Sequence, residues 1–216
     1  MDQEILFADV RGFMKSRVIL TAAELDFFTL LHRGPSTARD LAKRLHLDER
    51  GTTRILDSLI SFGLVMKEAD HYRTTTTGAL LSSEHPETIL PVILHMNNLW
   101  DRWGDLTAIL RKDSTKSGKQ GLSFTDRDWK AFIGAMHVIA RKLSGEIADF
   151  YNTERFTCLL DLGGASGTYA VAFLKKNPAL KAILFDLAEV IPMAEERIAA
   201  EGLSERVRCV GGDFYD

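Results

Sequence analysis

Three aspartates, Asp161, Asp186 and Asp213, stand at or just beyond the ends of apolar runs with the composition of β-strands. The runs cover residues 156–162 (FTCLLDL), 182–187 (AILFDL) and 207–210 (VRCV, before GGDF). Carboxylates repeated at successive strand ends form a site that repels anions and accepts hydrogen bonds. A dinucleotide would bring its pyrophosphate against them. S-adenosylmethionine (SAM) brings a cationic amino acid and sulfonium, a ribose diol and an adenine amino group, and each of these can meet an acid. The acids point to a SAM site.

The elements between the runs are those such a site requires. Residues 166–176 and 190–201 are apolar at helical spacing, which gives strand–helix–strand–helix–strand, the start of a doubly wound parallel sheet. In such sheets the ligand lies outside the carboxyl ends of the strands. The turn after the first strand is glycine-rich. A dinucleotide fingerprint begun at Gly163 would need glycine at 165 and 168, where the chain has Ala165 and Thr168. An acid-x-G-x-G-x-G pattern fits better, as Asp161-x-Gly163-x-Ala165-x-Gly167, with alanine in the middle slot and Gly164 beside it to keep the turn supple.

The segments LLDLGGASGTYA, ILFDLAEVIPMA and VRCVGGDFYD resemble three consecutive motifs of the plant-type and bacterial small-molecule O-methyltransferases, roughly DxGGGxG, FDLPxVI and GDFF. The departures are Ala165 for glycine, Ala188 for proline and Tyr215 for phenylalanine. None removes a polar ligand group. The resemblance implies a SAM-dependent O-methyltransferase acting on a small, aromatic hydroxyl compound. It places Asp161, Gly163, Gly164 and Gly167 along the methionine part of SAM, Asp186 with Leu187 at the ribose, and Asp213 with Phe214 at the adenine. A carboxylate can accept two hydroxyl hydrogen bonds, and an aromatic face stacks on a purine.

The N-terminal third has its own organisation. Residues 18–31 read as one apolar helical stretch, broken by Gly34–Pro35; Ser36 and Thr37 can cap a helix over 38–46, and Asp48 one over 49–62. Two short strands, 64–66 and 71–75, complete a winged helix. That fold can bind DNA, but residues 1–90 carry 11 Lys and Arg against 13 Asp and Glu, a net charge of −2. Phosphate contacts supply most non-specific DNA affinity, so an acidic domain is poorly suited to it. The resemblance implies instead a module that dimerises and helps close the partner's pocket. Ile5, Leu6, Val10, Phe13 and Met14 suit a helix packed on a second subunit.

Residues 86–111 and 126–151 read as long helices separated by the polar stretch 112–121, expected as an exposed loop. The segment FIGAM resembles a family segment that faces the acceptor, which nominates Phe132 and Met136 for the substrate pocket; spacing of i,i+4 puts them on one helix face. Core packing explains the pair equally well. Trp100 and Trp103 can also wall an acceptor, although tryptophans at helical spacing are more often core, while His95 and His137 read as isolated packed or surface histidines. The expected organisation is a mainly α winged-helix dimerisation domain (residues 1–85), connecting helices with part of the pocket (86–150), and the first half of an α/β Rossmann-like class I methyltransferase domain (151–216).

The net charge of −3 over 216 residues offers no nucleic-acid footprint, no run is long enough to span a membrane, and the acidic start does not resemble a signal peptide. Cys158 and Cys209 fall inside the strand runs and read as buried core residues of a reduced cytoplasmic protein. No metal-ligand spacing occurs. In the resembled family the sheet continues beyond the third motif, and its catalytic histidine lies there in a His-Asp-Trp type motif. No such motif occurs here. The resemblance therefore implies a fragment whose base lies beyond Asp216 and whose first strand is an exposed apolar edge. Two other readings stand beside the enzyme: a winged-helix regulator sensing a nucleoside metabolite, and a non-catalytic dimer partner that retains SAM.

Overall fold

The computed structural model describes residues 2–111 and 125–215, in two compact units within Met1–Gln120 and Gly121–Asp216. The N-terminal unit runs α1 (Gln3–Glu24), α2 (Phe27–Arg33), β1 (Ser36–Thr37), α3 (Ala38–Leu45), α4 (Glu49–Ser61), β2 (Val65–Glu68), β3 (His71–Thr74), α5 (Thr76–Ala79), α6 (Leu90–Gly104) and α7 (Leu106–Leu110). Short polar side chains start its helices. Asp2 accepts from Glu4 N, Thr37 from Asp40 N and Asp48 from Gly51 N, each satisfying an amide that the helix cannot.

The stretch 18–31, expected as one helix, is two. Asp26 adopts a left-handed conformation (φ 60°) between α1 and α2, and the chain turns so that Phe27 and Phe28 enter the core. Apolar periodicity continues across such a break, because both helices face the same core. The short strand β1 also escapes sequence reading, since two residues carry no period. It pairs antiparallel with β3, giving the order β1-β3-β2. Tyr72 in β3 is fully buried, and its hydroxyl donates to Asp57 at 3.0 Å.

Residues 86–111 likewise depart from the single helix expected. Turns occupy the segment before Leu90, and α6 and α7 meet at Asp105. Pro91 sits in the first turn of α6, where a missing amide costs nothing. The stretch 112–121, expected as an exposed loop, lies outside the described residues. Along α1, Ile5, Leu6, Val10, Phe13 and Met14 are all about half exposed or more in the single chain, at 48–63%.

The C-terminal unit holds α8 (Asp126–Phe150), β4 (Cys158–Leu162), α9 (Thr168–Lys176), β5 (Lys181–Asp186), α10 (Ile191–Ala200), a 3-10 turn (Ser204–Arg206) and β6 (Val207–Gly211). A capping box of Thr125 and Asp128 starts α8. The strands are parallel in the order β4-β5-β6, with Asp161 opposite Leu184 and Asp186 opposite Gly211. Ala170, Val171, Leu174, Leu184, Ala194 and Ile198 form the core beneath them.

Among the described residues β4 pairs with β5 alone. Leu159 joins the core formed with α9 and α10, whereas Leu160 and Leu162 on the opposite face are 56% and 61% exposed. Cys158 shares that face, so it is exposed and not the core residue expected; Cys209 is half-buried. An all-apolar run does not disclose which of its two faces is covered.

Arg206 ties the layers together. Its guanidinium donates to the carbonyls of Leu174, Asn177 and Leu180 at 2.6–3.1 Å, satisfying acceptors that α9 leaves at its C-terminal end. Replacement by methionine retains the aliphatic stem and strands those carbonyls. Arg206→Met is expected to lower the unfolding free energy by about 2–4 kcal/mol, read from urea denaturation followed by circular dichroism.

Candidate functional site

The turn from β4 into α9 is held from beneath by the end of β5. Gly163 N and Gly164 N donate to the carbonyl of Phe185 at 2.8 and 3.3 Å. Ala165 N donates to Asp186 Oδ2 and Leu187 N to Asp186 Oδ1, both at 2.7 Å. One carboxylate thus fastens the turn to its own strand end. Gly163, Ala165 and Gly167 all have positive φ, at 70°, 49° and 74°. Ala165 adopts this conformation at a cost of roughly 1–2 kcal/mol, offset by its charge-assisted bond to Asp186.

The glycines have different tasks. A Cβ on Gly164 would lie 2.9 Å from Asp161 Cγ and 2.8 Å from Leu184 Cγ, and one on Gly167 would lie 2.9 Å from Leu184 Cδ1. Close packing requires both. A Cβ on Gly163 would meet only the Phe214 ring, at 3.6 Å. Phe214 is 64% exposed and leans on Phe185, with 5.4 Å between ring centres. Asp213 beside it is exposed, and its Oδ1 accepts from Tyr215 N at 3.1 Å.

Asp161 is half-buried, and its Oδ2 accepts from Ala170 N at 3.3 Å. Burial raises its pKa above the ordinary carboxylate value; the Ala170 amide opposes the rise and the charge of Asp186 adds to it. The ion pairs of this unit lie elsewhere, at Lys142–Glu146, Lys175–Glu201, Lys176–Asp149 and Arg197–Glu201. Among the described residues, neither Asp161 nor Asp186 forms an ion pair with a basic side chain. A cation entering there relieves their repulsion. Among the described residues no cluster of His, Cys, Asp and Glu is arranged to hold a metal ion.

Asp161, Gly163, Gly164, Gly167, Asp186, Leu187 and Phe214 are thus brought to one rim, with Asp213 next in the chain. Phe132 and Met136 are half-buried on α8, where Phe132 meets Trp129 edge-on. Trp100 and Trp103 belong to α6 in the other unit. Arg17 lies over the half-buried Trp100 ring at 5.4 Å, and Trp103 is 69% exposed.

One group at the rim is not legible as such in the sequence. His137 Nδ1 lies 2.9 Å from Thr168 Oγ1, which lies 3.3 Å from Ser166 Oγ. Both hydroxyl residues are buried. Burial pushes the His137 imidazole down to about 4, helped by Arg197 and Arg141 and opposed by Glu201. A lone histidine 31 residues from its partner leaves no local signal.

Comparison with known proteins places this geometry. An O-methyltransferase dimerisation domain model matches residues 9–84, and an O-methyltransferase domain model matches residues 122–216. The chain belongs to the O-methyltransferase family. It is 30% identical over 215 residues to the tetracenomycin polyketide synthesis 8-O-methyl transferase of Streptomyces glaucescens, covering 94% of this chain and 62% of that protein. It is 29% identical over 213 residues to an N,N-dimethyltransferase of Streptomyces rimosus, with 94% and 62% covered. The chain therefore spans about three-fifths of the length of these curated relatives. Human N-acetylserotonin methyltransferase, solved in complex with SAM, superposes with a TM-score of 0.81 at 23% identity, covering all of this chain and 68% of that one. The fold is thus a helical N-terminal region joined to a Rossmann-like methyltransferase sheet.

The raised pKa of Asp161 has a consequence for stability. Its folded state favours the neutral acid, so the stabilisation it offers is present at low pH and is lost as pH rises through the raised value. Asp161→Asn keeps an acceptor for Ala170 N and removes the charge. The variant is expected to raise the thermal midpoint more at pH 7.5 than at pH 4, in paired scanning-calorimetry runs. An equal gain at both pH values would contradict the assignment.

Proposed function

We propose that this chain carries the donor site of a SAM-dependent O-methyltransferase acting on a small aromatic hydroxyl compound. The observation that carries the reading is the rim itself: Asp161 and Asp186 without basic partners, beside a glycine turn that leaves Gly163 open. The residues fit the cofactor. The carboxylate pair matches its cationic end, and each Asp186 oxygen keeps a lone pair for a ribose hydroxyl beyond the backbone amide it already accepts. The exposed Phe214 ring and Asp213 suit the adenine. SAM supplies a methyl group on a sulfonium when bound. Asp161 balances positive charge, Asp186 holds the turn and the diol, and Gly163 admits close approach. Transfer then depends on near-attack alignment of an acceptor oxygen and on removal of its proton. That base is assigned to none of the described residues.

Phe132 and Met136 of α8 are our candidates for the acceptor wall, and Trp100 and Trp103 of the N-terminal unit are separate candidates for acceptor contact. Relatives include both an O-methyl and an N,N-dimethyl transferase, and the three acid-bearing motifs concern the donor alone. The N-terminal unit is read as a winged helix that forms a homodimer. Its order of helices followed by a hairpin supports the first point, and the match to a dimerisation domain together with the apolar face of α1 supports the second. The acidic charge balance of residues 1–90 favours this role over nucleic-acid binding. No helix among the described residues is long and apolar enough to cross a membrane. The two cysteines are free, which suits the reduced cytoplasmic setting we assign to the chain.

Titration calorimetry on the chain is expected to show binding of S-adenosylhomocysteine or SAM and none of NAD. Asp186→Ala should weaken that binding by about 10- to 100-fold, because it strands hydroxyls and loosens the turn. NAD binding without a response to either sulfur nucleoside would overturn the reading. Light scattering should give a dimer mass that salt does not change, since the α1 face is apolar.

A further inference from the structure

The glycine turn has a second tether, on the side away from β5. Helix α9 begins with Gly167 at its cap position, which has no side chain to hold the first amides. Its first residue, Thr168, instead reaches sideways to His137 of α8, and Ser166 of the turn completes the chain of hydroxyls. On the β5 side the turn is fixed by Phe185 and Asp186. On the α8 side, where α9 packs along α8 and Lys176 pairs with Asp149 farther down, this is the hydrogen bond nearest the turn among the described residues.

We propose that His137 is a positioning residue for the donor turn, holding Ser166 and Thr168 through a hydroxyl relay and so setting the turn against α8. The inference rests on the donor-site reading above. In the relay Ser166 donates to Thr168 and Thr168 donates to His137 Nδ1, which assigns the neutral Nε2–H tautomer. The surroundings enforce neutrality. Burial disfavours the charged imidazole most, Arg197 on α10 and then Arg141 on α8 add to this, and the opposing Glu201 is itself paired with Lys175 at 2.6 Å and Arg197 at 3.6 Å. A protonated His137 would add a third cation beside the two arginines and would reverse the order of donors along the relay. Because Met136 is the neighbouring residue and Phe132 precedes it on α8, the same bond couples the donor turn to the helix proposed for the acceptor wall.

The test compares the wild-type chain with His137→Ala, His137→Gln, Thr168→Val and the His137→Ala/Thr168→Val double variant. Two quantities are read: S-adenosylhomocysteine affinity by calorimetry, and amide hydrogen exchange over residues 163–170 without ligand. Loss of one buried hydrogen bond should weaken affinity by about 5- to 15-fold in either single variant. It should also speed exchange in the turn while β5 and β6 are unchanged. The double variant should be no worse than either single one, and His137→Gln, which can still accept from Thr168, should recover most of the loss. Nitrogen NMR of wild type should show an unprotonated Nδ1 and constant affinity from pH 6 to 8. Additive losses, uniform acceleration across the sheet, or no rescue by glutamine would overturn the positioning role and leave the donor-site reading intact. No binding by the wild-type chain would instead sink the donor-site reading and the positioning role that depends on it.

Discussion

The Asp186 carboxylate has to do two things with two oxygens. Each accepts a backbone amide at 2.7 Å, one from the turn after β4 and one from the residue that follows Asp186 itself. Parallel pairing of β4 with β5 brings these groups into range, because Asp161 lies opposite Leu184 and the turn must pass over the end of β5. A carboxylate held by two amides is fixed in direction, and its remaining lone pairs point where the strands end. The site at the rim is therefore a by-product of closing the turn. The residue that builds the loop is also the one we propose for the ribose diol.

That economy has an electrostatic cost. Asp161 sits near Asp186 in a half-buried position with one long amide bond and no basic neighbour, so burial and like charge both favour its neutral form. Proteins commonly leave such strain where a ligand is to relieve it. An arginine at the rim would stabilise the empty fold and would occupy the place of a cationic ligand. Two arginines of this unit have other tasks: Arg206 closes the end of α9, and Arg197 pairs with Glu201.

The N-terminal unit follows other rules. Its helices are set by caps and by one left-handed residue, Asp26, and its core by Phe27, Phe28, Leu56, Leu59 and Tyr72. The first half of α1 leaves Ile5, Leu6, Val10, Phe13 and Met14 about half exposed or more among the described residues. A dimerisation role agrees with that surface and with an acidic charge balance ill suited to phosphate.

Much of this was written in the sequence because the determinants are local. Strand runs ending in Asp161 and Asp186, the glycines between β4 and α9, and the caps Thr37 and Asp48 are each read from a few neighbouring residues, and the elements appear within a few positions of their expected limits. The break at Asp26, the division of 86–111 into α6 and α7, and the exposure of Cys158 were not legible. Apolar periodicity records that a face is covered without saying by what, or whether the chain has turned meanwhile. The union of His137 with Thr168 and Ser166 belongs wholly to the tertiary structure. Nothing in the type or spacing of those residues links them, and only the packing of α8 against α9 puts an imidazole within 2.9 Å of a buried hydroxyl. By itself the sequence determined the fold class, the acids and the turn. The tertiary structure decided which backbone amides those acids hold, which faces remain bare and what fixes the turn on its far side, because each depends on contacts between segments distant along the chain.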